Sequence, residues 1–114
     1  MSKKSARKQK KLEKDEKRVD ETLHLTGRRR GATLREEVWY NGGVVVKYNL
    51  AYINHRICGV DNGRVLGFDN NHGSHHRHFM GKMEDVEFQG YEALLDRFKE
   101  ELHELWRAED EQNR

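Results

Sequence analysis

The stretch Val44 to Asn54, VVVKYNLAYIN, decides how the rest of the chain is read. It is rich in β-branched and aromatic residues, and Val44, Val46, Tyr48, Leu50 and Tyr52 recur at every second position. Successive side chains of an extended strand point to opposite faces, so these residues predict one apolar strand face. Upstream, Asn41-Gly42-Gly43 accepts positive φ cheaply and reads as a turn. It leads back to an extended segment, Thr33 to Tyr40, with Leu34, Val38 and Tyr40 on one parity. Downstream, a short link at His55-Arg56 leads to Ile57–Val60. Asp61-Asn62-Gly63 then reads as a hairpin turn joining that segment to Arg64–Phe68. Phe79 to Phe88 offers a further strand, with Gly81 as a bulge or bend.

The periodicity changes after Gly90. Tyr91, Leu94, Leu95, Phe98, Leu102, Leu105 and Trp106 fall 3, 4, 7, 11, 14 and 15 positions from the first. That spacing is one face of a helix, and Glu92, Asp96, Lys99, Glu100 and Glu104 occupy the other. Short turns between strands favour pairing of chain neighbours. The expected fold is α+β: an antiparallel meander of about five strands with the helix packed on one face. The packed part spans about 75 residues, near the lower limit for a self-sufficient core, so a partner or a homodimer would help it. The expected boundaries are a basic arm and linker over 1–31, one domain over 32–108 and a frayed tail over 109–114.

Charge is segregated along the chain. Residues 1–30 hold twelve Lys or Arg against five Asp or Glu, and the remainder holds ten against fifteen. Residues 2–21 contain only Ala6, Leu12 and Val19 as apolar residues, too few to dock a helix. The arm is therefore expected to be disordered or a frayed helix. Its charge, with Arg28, Arg29 and Arg30, suits a polyanion such as RNA or an acidic protein. Cys58 is the only cysteine, which excludes an internal disulfide and a multi-cysteine zinc site and fits a reducing cytoplasm. No apolar run reaches the roughly 18 residues needed to span a membrane. The charged N-terminus is followed by no apolar stretch, so no signal peptide is expected. There is no phosphate-binding glycine loop and no serine in a nucleophile-elbow context.

The chemistry concentrates in Asp69 to Phe79, DNNHGSHHRHF, where four of the seven histidines lie within seven residues. Asp69-Asn70-Asn71 and Gly73-Ser74 are turn-forming. If His76-Arg77-His78 is extended, His76 and His78 point one way and Arg77 the other. Three readings stand side by side. In the first, His76 and His78 are the acid–base pair of metal-free RNA cleavage, because imidazole exchanges protons near neutral pH. Asp69 would orient one ring, and Arg77 or Lys82 would meet the phosphate charge. His72, His75, Lys82, Arg28, Arg29 and Arg30 are the further candidates for holding the RNA. In the second, His72, His75, His76 and His78 bind zinc or a similar ion, although their spacing follows no standard zinc motif. In the third, the segment is a polar loop that holds a turn or contacts a nucleic acid or a protein partner without catalysis.

The stretch from Gly63 to Lys82, GRVLGFDNNHGSHHRHFMGK, resembles the signature of the TumE-type toxins of prokaryotic toxin–antitoxin systems. The resemblance covers roughly 44–106 and leaves the basic arm outside it. Matching positions are Asp69, Asn70, His72, His75, His76, Arg77 and His78. It implies a growth-inhibiting toxin held in check by a DNA-binding helix-turn-helix antitoxin encoded beside it. It implies no particular reaction. RNA as target follows from the chemistry of the histidine segment and from the habits of small α+β toxins.

Overall fold

The structure, a computed structural model, describes residues 14–112. The expectations for residues 2–13 and 113–114 lie outside that range. Strand β3 (Val44–Ile53) pairs antiparallel with β2 (Thr33–Asn41) on one side and β4 (Arg64–Asp69) on the other. With β1 (Glu16–His24), β5 (His76–Phe79) and β6 (Lys82–Asp85) they form a six-stranded sheet in chain order, β1 to β6. Helix α1 (Tyr91–Gln112) covers one face of this sheet. The α+β meander with a C-terminal helix is thus as the residue pattern predicts.

Alternation places Tyr48, Leu50 and Tyr52 of β3, with Leu66 and Phe68 of β4, against Leu94, Phe98 and Leu102 of α1. Phe68 and Phe98 meet edge to face, with centroids 6.3 Å apart. Burying each of these large side chains contributes about 1.5–3 kcal/mol, which fixes the side of the sheet that the helix occupies. The opposite face stays open, and the chemistry described below lies on it. Val44 and Val46 do not join the buried face; both are exposed. A register shift between Trp39 and Tyr40 skips Val46, so that Val45 turns towards the core instead.

Three local expectations are corrected. The segment expected to be an unpacked arm contributes β1. Its few apolar residues, Val19 and Leu23, stand opposite Val38 and Leu34 on the helix side. Its charges on the open side find partners in β2: Lys17 Nζ lies 2.6 Å from Glu37, and Asp20 pairs with Arg35. Cross-strand partners thus supply what an isolated segment would have lacked. Ile57–Val60 is not a strand. The Asn54 carbonyl accepts the N–H groups of Ile57 and Cys58, which closes a turn and leaves β4 to pair with β3 directly. Lastly, 79–88 is broken by a tight hairpin in which Met80 (φ 49°) and Gly81 (φ 84°) are both left-handed. A Cβ on Gly81 would meet Val60 Cγ2 at 2.5 Å, so no larger residue fits without movement.

The end of α1 is held rather than frayed up to Gln112. Arg29 donates to Glu109 (3.2 Å), to Asp110 (2.9 Å) and to the Trp106 carbonyl (2.8 Å), and stacks over the Trp106 ring. A guanidinium near a helix C-terminus opposes the negative end of the dipole. Tyr52 donates to Glu109 from below. Among the described residues no helix is long and apolar enough to cross a membrane.

Candidate active site

The Asp69-Asn70-Asn71 step is built by side chains standing in for backbone. Where β4 ends, Asn70 Oδ1 accepts the Tyr48 N–H (3.0 Å) and Asn70 Nδ2 donates to the Val46 carbonyl (2.9 Å). The carboxamide thereby continues the β3–β4 ladder for one more rung while the main chain departs. Asp69 Oδ1 accepts the Asn71 N–H at 3.3 Å, which caps the turn. The chain re-enters the sheet as β5, and Asp69 comes to face His76 across the β4–β5 pair.

Three side chains converge on the Asp69 carboxylate, which is almost fully buried. Arg64 Nη1 donates to Oδ2 at 3.0 Å. His78 Nε2 lies 2.9 Å from the same oxygen, and His76 Nδ1 lies 3.9 Å from Oδ1. The two rings are 6.4 Å apart and nearly perpendicular. Arg64 also grips Asp61 bidentately, at 2.9 and 3.0 Å, and its Nη2 donates to His78 Nδ1 at 3.0 Å. A nitrogen that accepts from arginine carries no proton, so neutral His78 holds its proton on Nε2, facing Asp69. That contact is too bent for a hydrogen bond, which leaves Nε2 buried and unsatisfied. Burial and the neighbouring Arg64 charge hold the His78 pKa below the ordinary imidazole value, against the pull of Asp69 and Asp61. Burial raises Asp61, but its bonds to Arg64 outweigh this and hold its carboxyl below the usual range.

Arg64 reaches this position because Gly67 has no side chain. The Arg64 stem crosses Gly67 so closely that a Cβ there would sit 2.5 Å from Arg64 Cδ and 2.9 Å from the Leu50 carbonyl oxygen. His76 is flanked on its other side: Ser74 Oγ and Asp85 Oδ1 each lie 3.2 Å from Nε2.

No protein family, curated protein or solved structure matches this chain.

The structure brings together Asp69, His76 and His78 and sends the other candidates elsewhere. Arg77 points to the helix side, where it pairs with Glu101 (2.9 Å) and Glu84 (3.2 Å), as its parity requires. It therefore cannot share a ligand with His76 and His78. Arg64 and Asp61, absent from the residues picked out in the sequence, take its place. His75 also lies on the helix side. Its ring stacks on Phe88 at 4.0 Å, and Nδ1 shares a hydrogen bond with the Tyr48 hydroxyl at 2.8 Å. Burial, with the Asp69 charge, pushes that hydroxyl up to about 12, so it stays protonated. Burial and His76 lower His75. The four-histidine metal set is thus not gathered, since His75 faces away from His76 and His78; the His72 side chain lies outside the described ones. Among the described residues no three His, Cys, Asp or Glu side chains form a metal-holding group. Lys82 is exposed on β6, and Arg28 and Arg30 are exposed beside Arg29, far along the chain from the histidines. Arg29 is committed to α1.

The lowered His75 and His78 give a pH prediction. Folded, both hold a proton less readily than an unfolded imidazole, which takes one up below about pH 6.5. Their contribution to stability is complete above that pH and is lost as pH falls below it towards the lowered folded values. Taking the protein from pH 7.5 to 5.5 is expected to lower Tm by roughly 5 °C. Thermal melts of wild type and His78→Gln test this. A wild-type Tm that is flat over the interval would contradict the lowering of both imidazoles.

Proposed function

We propose that this protein is the toxin of a toxin–antitoxin pair and cleaves RNA without a metal, using His78 as base, His76 as acid and Arg64 on the phosphate. The observation that carries this reading is the approach of both imidazoles to the carboxylate of Asp69, with the Arg64 guanidinium within 3.0 Å of both Asp69 and His78. Neutral His78 is the form that a general base requires. Its Nδ1 lone pair is occupied by Arg64, and a phosphate that draws the guanidinium away frees it. His78 Nδ1 then takes the proton of a 2′-hydroxyl, and the 2′-oxygen attacks phosphorus. Arg64 offsets the added charge of the phosphorane. The bond from phosphorus to the 5′-oxygen breaks, and His76 delivers a proton to that oxygen. The products are a 2′,3′-cyclic phosphate and a 5′-hydroxyl, and water returns both histidines to their starting forms. Asp69 keeps the two rings in place. The resemblance of 63–82 to the TumE-type toxins supports the biological setting, in which a helix-turn-helix antitoxin is the partner.

The test is expression from a tightly repressed promoter, following growth and RNA integrity, with cleaved ends typed by their susceptibility to kinase and phosphatase. Growth arrest with cyclic-phosphate ends is expected for wild type. His76→Ala with His78→Ala should remove both, provided the variant melts cooperatively. A folded double variant that still arrests growth sinks the catalytic reading, and the histidines then serve only to hold the turn.

A further inference from the structure

Next to the histidine cluster, and sharing Arg64 with it, the open face of the sheet holds a cleft of about 290 Å³. We propose that this cleft is a subsite for one nucleotide of single-stranded RNA; the proposal rests on the RNA reading above and specifies how that RNA is held. The volume is close to the lower end of small-molecule sites, enough for a single base with its sugar and too small for a helix or a folded peptide.

The composition of the walls selects the ligand. Ala51 and Ile53 of β3 give an apolar floor, and Trp39 of β2 gives an aromatic wall. Nucleobases are flat and apolar on their faces, and aromatic stacking binds them whatever their sequence. Around this surface stand three carboxamides, Asn49, Asn62 and Asn71. Each offers both a donor and an acceptor, which is what a base edge requires and what a lipid or an aliphatic side chain does not use. Cations sit at the two ends: Arg64 on the cluster side and Lys47 beside Trp39. The one carboxylate in the lining, Asp61, is already engaged by Arg64, so it does not repel a phosphate as a free acid would.

The state of Trp39 agrees with this assignment. Lys47 Nζ and Lys17 Nζ lie 4.6 and 4.9 Å from its ring centroid. An indole face that attracts ammonium groups is the electron-rich surface that stacking uses. Lys47 is exposed, so a base can displace its ammonium from the ring, and the freed charge can then meet the adjoining phosphate. The cleft would thus set which nucleotide lies beside the scissile bond, while the histidines act on the bond itself.

A non-cleavable 2′-O-methyl oligoribonucleotide of six residues is the probe, titrated calorimetrically into the full chain so that the signal is independent of Trp39. Saturable binding is expected. Trp39→Ala should weaken it about tenfold, the effect of removing one stacked base, while Trp39→Phe should restore it to within about threefold. Asn49→Ala should change the ranking of oligomers that differ in one base. Trp106→Phe, at the far end of the core, should bind as wild type does. Each variant is melted first, and Trp39→Leu, which keeps apolar bulk without an aromatic face and should weaken binding about as much as alanine, decides the matter if Trp39→Ala does not fold. Absence of saturable binding, or affinity that Trp39→Ala leaves intact while the protein stays folded, would overturn the subsite. Failure here with wild-type RNA cleavage intact leaves the histidine mechanism standing; binding with no cleavage leaves the subsite standing alone.

Discussion

Asp69→Ala is expected to destabilise the protein by about 3–5 kcal/mol, the largest loss from any single change on the open face. The carboxylate is 3% exposed and serves three groups at once. Removing it leaves Arg64 with Asp61 alone, deprives the Asn71 N–H of its acceptor, and leaves His78 Nε2 beside an empty space. Breaking a buried charge cluster costs more than the cluster contributed, because the groups that remain have already lost their water. A domain of this size has only about 5–15 kcal/mol in total, so such a loss moves it close to unfolding at 37 °C. Denaturant titration measures it as a lower midpoint at an unchanged slope. Asp69→Asn preserves the shape and the Asn71 bond, so it should fall between the two. A loss below about 1 kcal/mol for alanine would mean that Arg64 and His78 do not depend on Asp69.

Gly67→Ala is expected to cost about 1–3 kcal/mol and, more tellingly, to uncouple Arg64 from His78. The added methyl group meets both the Arg64 stem and the main chain of the neighbouring strand, at 2.5 and 2.9 Å, so one of them must move. The side chain is the softer of the two. Once its guanidinium leaves His78 Nδ1, one of the influences that lowers the His78 pKa is removed. NMR titration of the imidazole protons should therefore show His78 moving up towards its ordinary value, while His75, on the other face, is unchanged. RNA cleavage should fall with it. An unaltered His78 titration in a folded Gly67→Ala protein would show that Arg64 is not held by the space at Gly67.

Much of the scaffold was legible because its signals are periodic. The alternation in 44–54 and the helical stripe from Tyr91 to Trp106 each repeat often enough to fix a face, and both faces meet in the core. The histidine pair was legible for the same reason: His76 and His78 differ by two positions, and an extended backbone must put them together. Arg64 was not. It lies five positions before Asp69, and strict alternation would place the two on opposite faces. Val65 is an extra residue in the β3–β4 register, between the pairs Ile53–Arg64 and Tyr52–Leu66, and this bulge returns Arg64 to the face of Asp69. A bulge is set by tertiary pairing and leaves no periodic mark. β1 was missed for a related reason. Its charges look solvent-seeking until Arg35 and Glu37 of β2 are placed opposite them. His75 looked like its neighbours, and only its position at the entry to β5 turns it towards Tyr48 and Phe88.

The order of the sheet has a consequence for how the molecule forms. Every strand pairs with its neighbour in the chain, so each rung of the ladder can zip from a short closed loop. Low sequence separation between contacting residues speeds folding relative to sheets built from distant strands. The residues around Asp69 come from β4, β5 and the links on either side, so this corner can assemble early, before the helix docks.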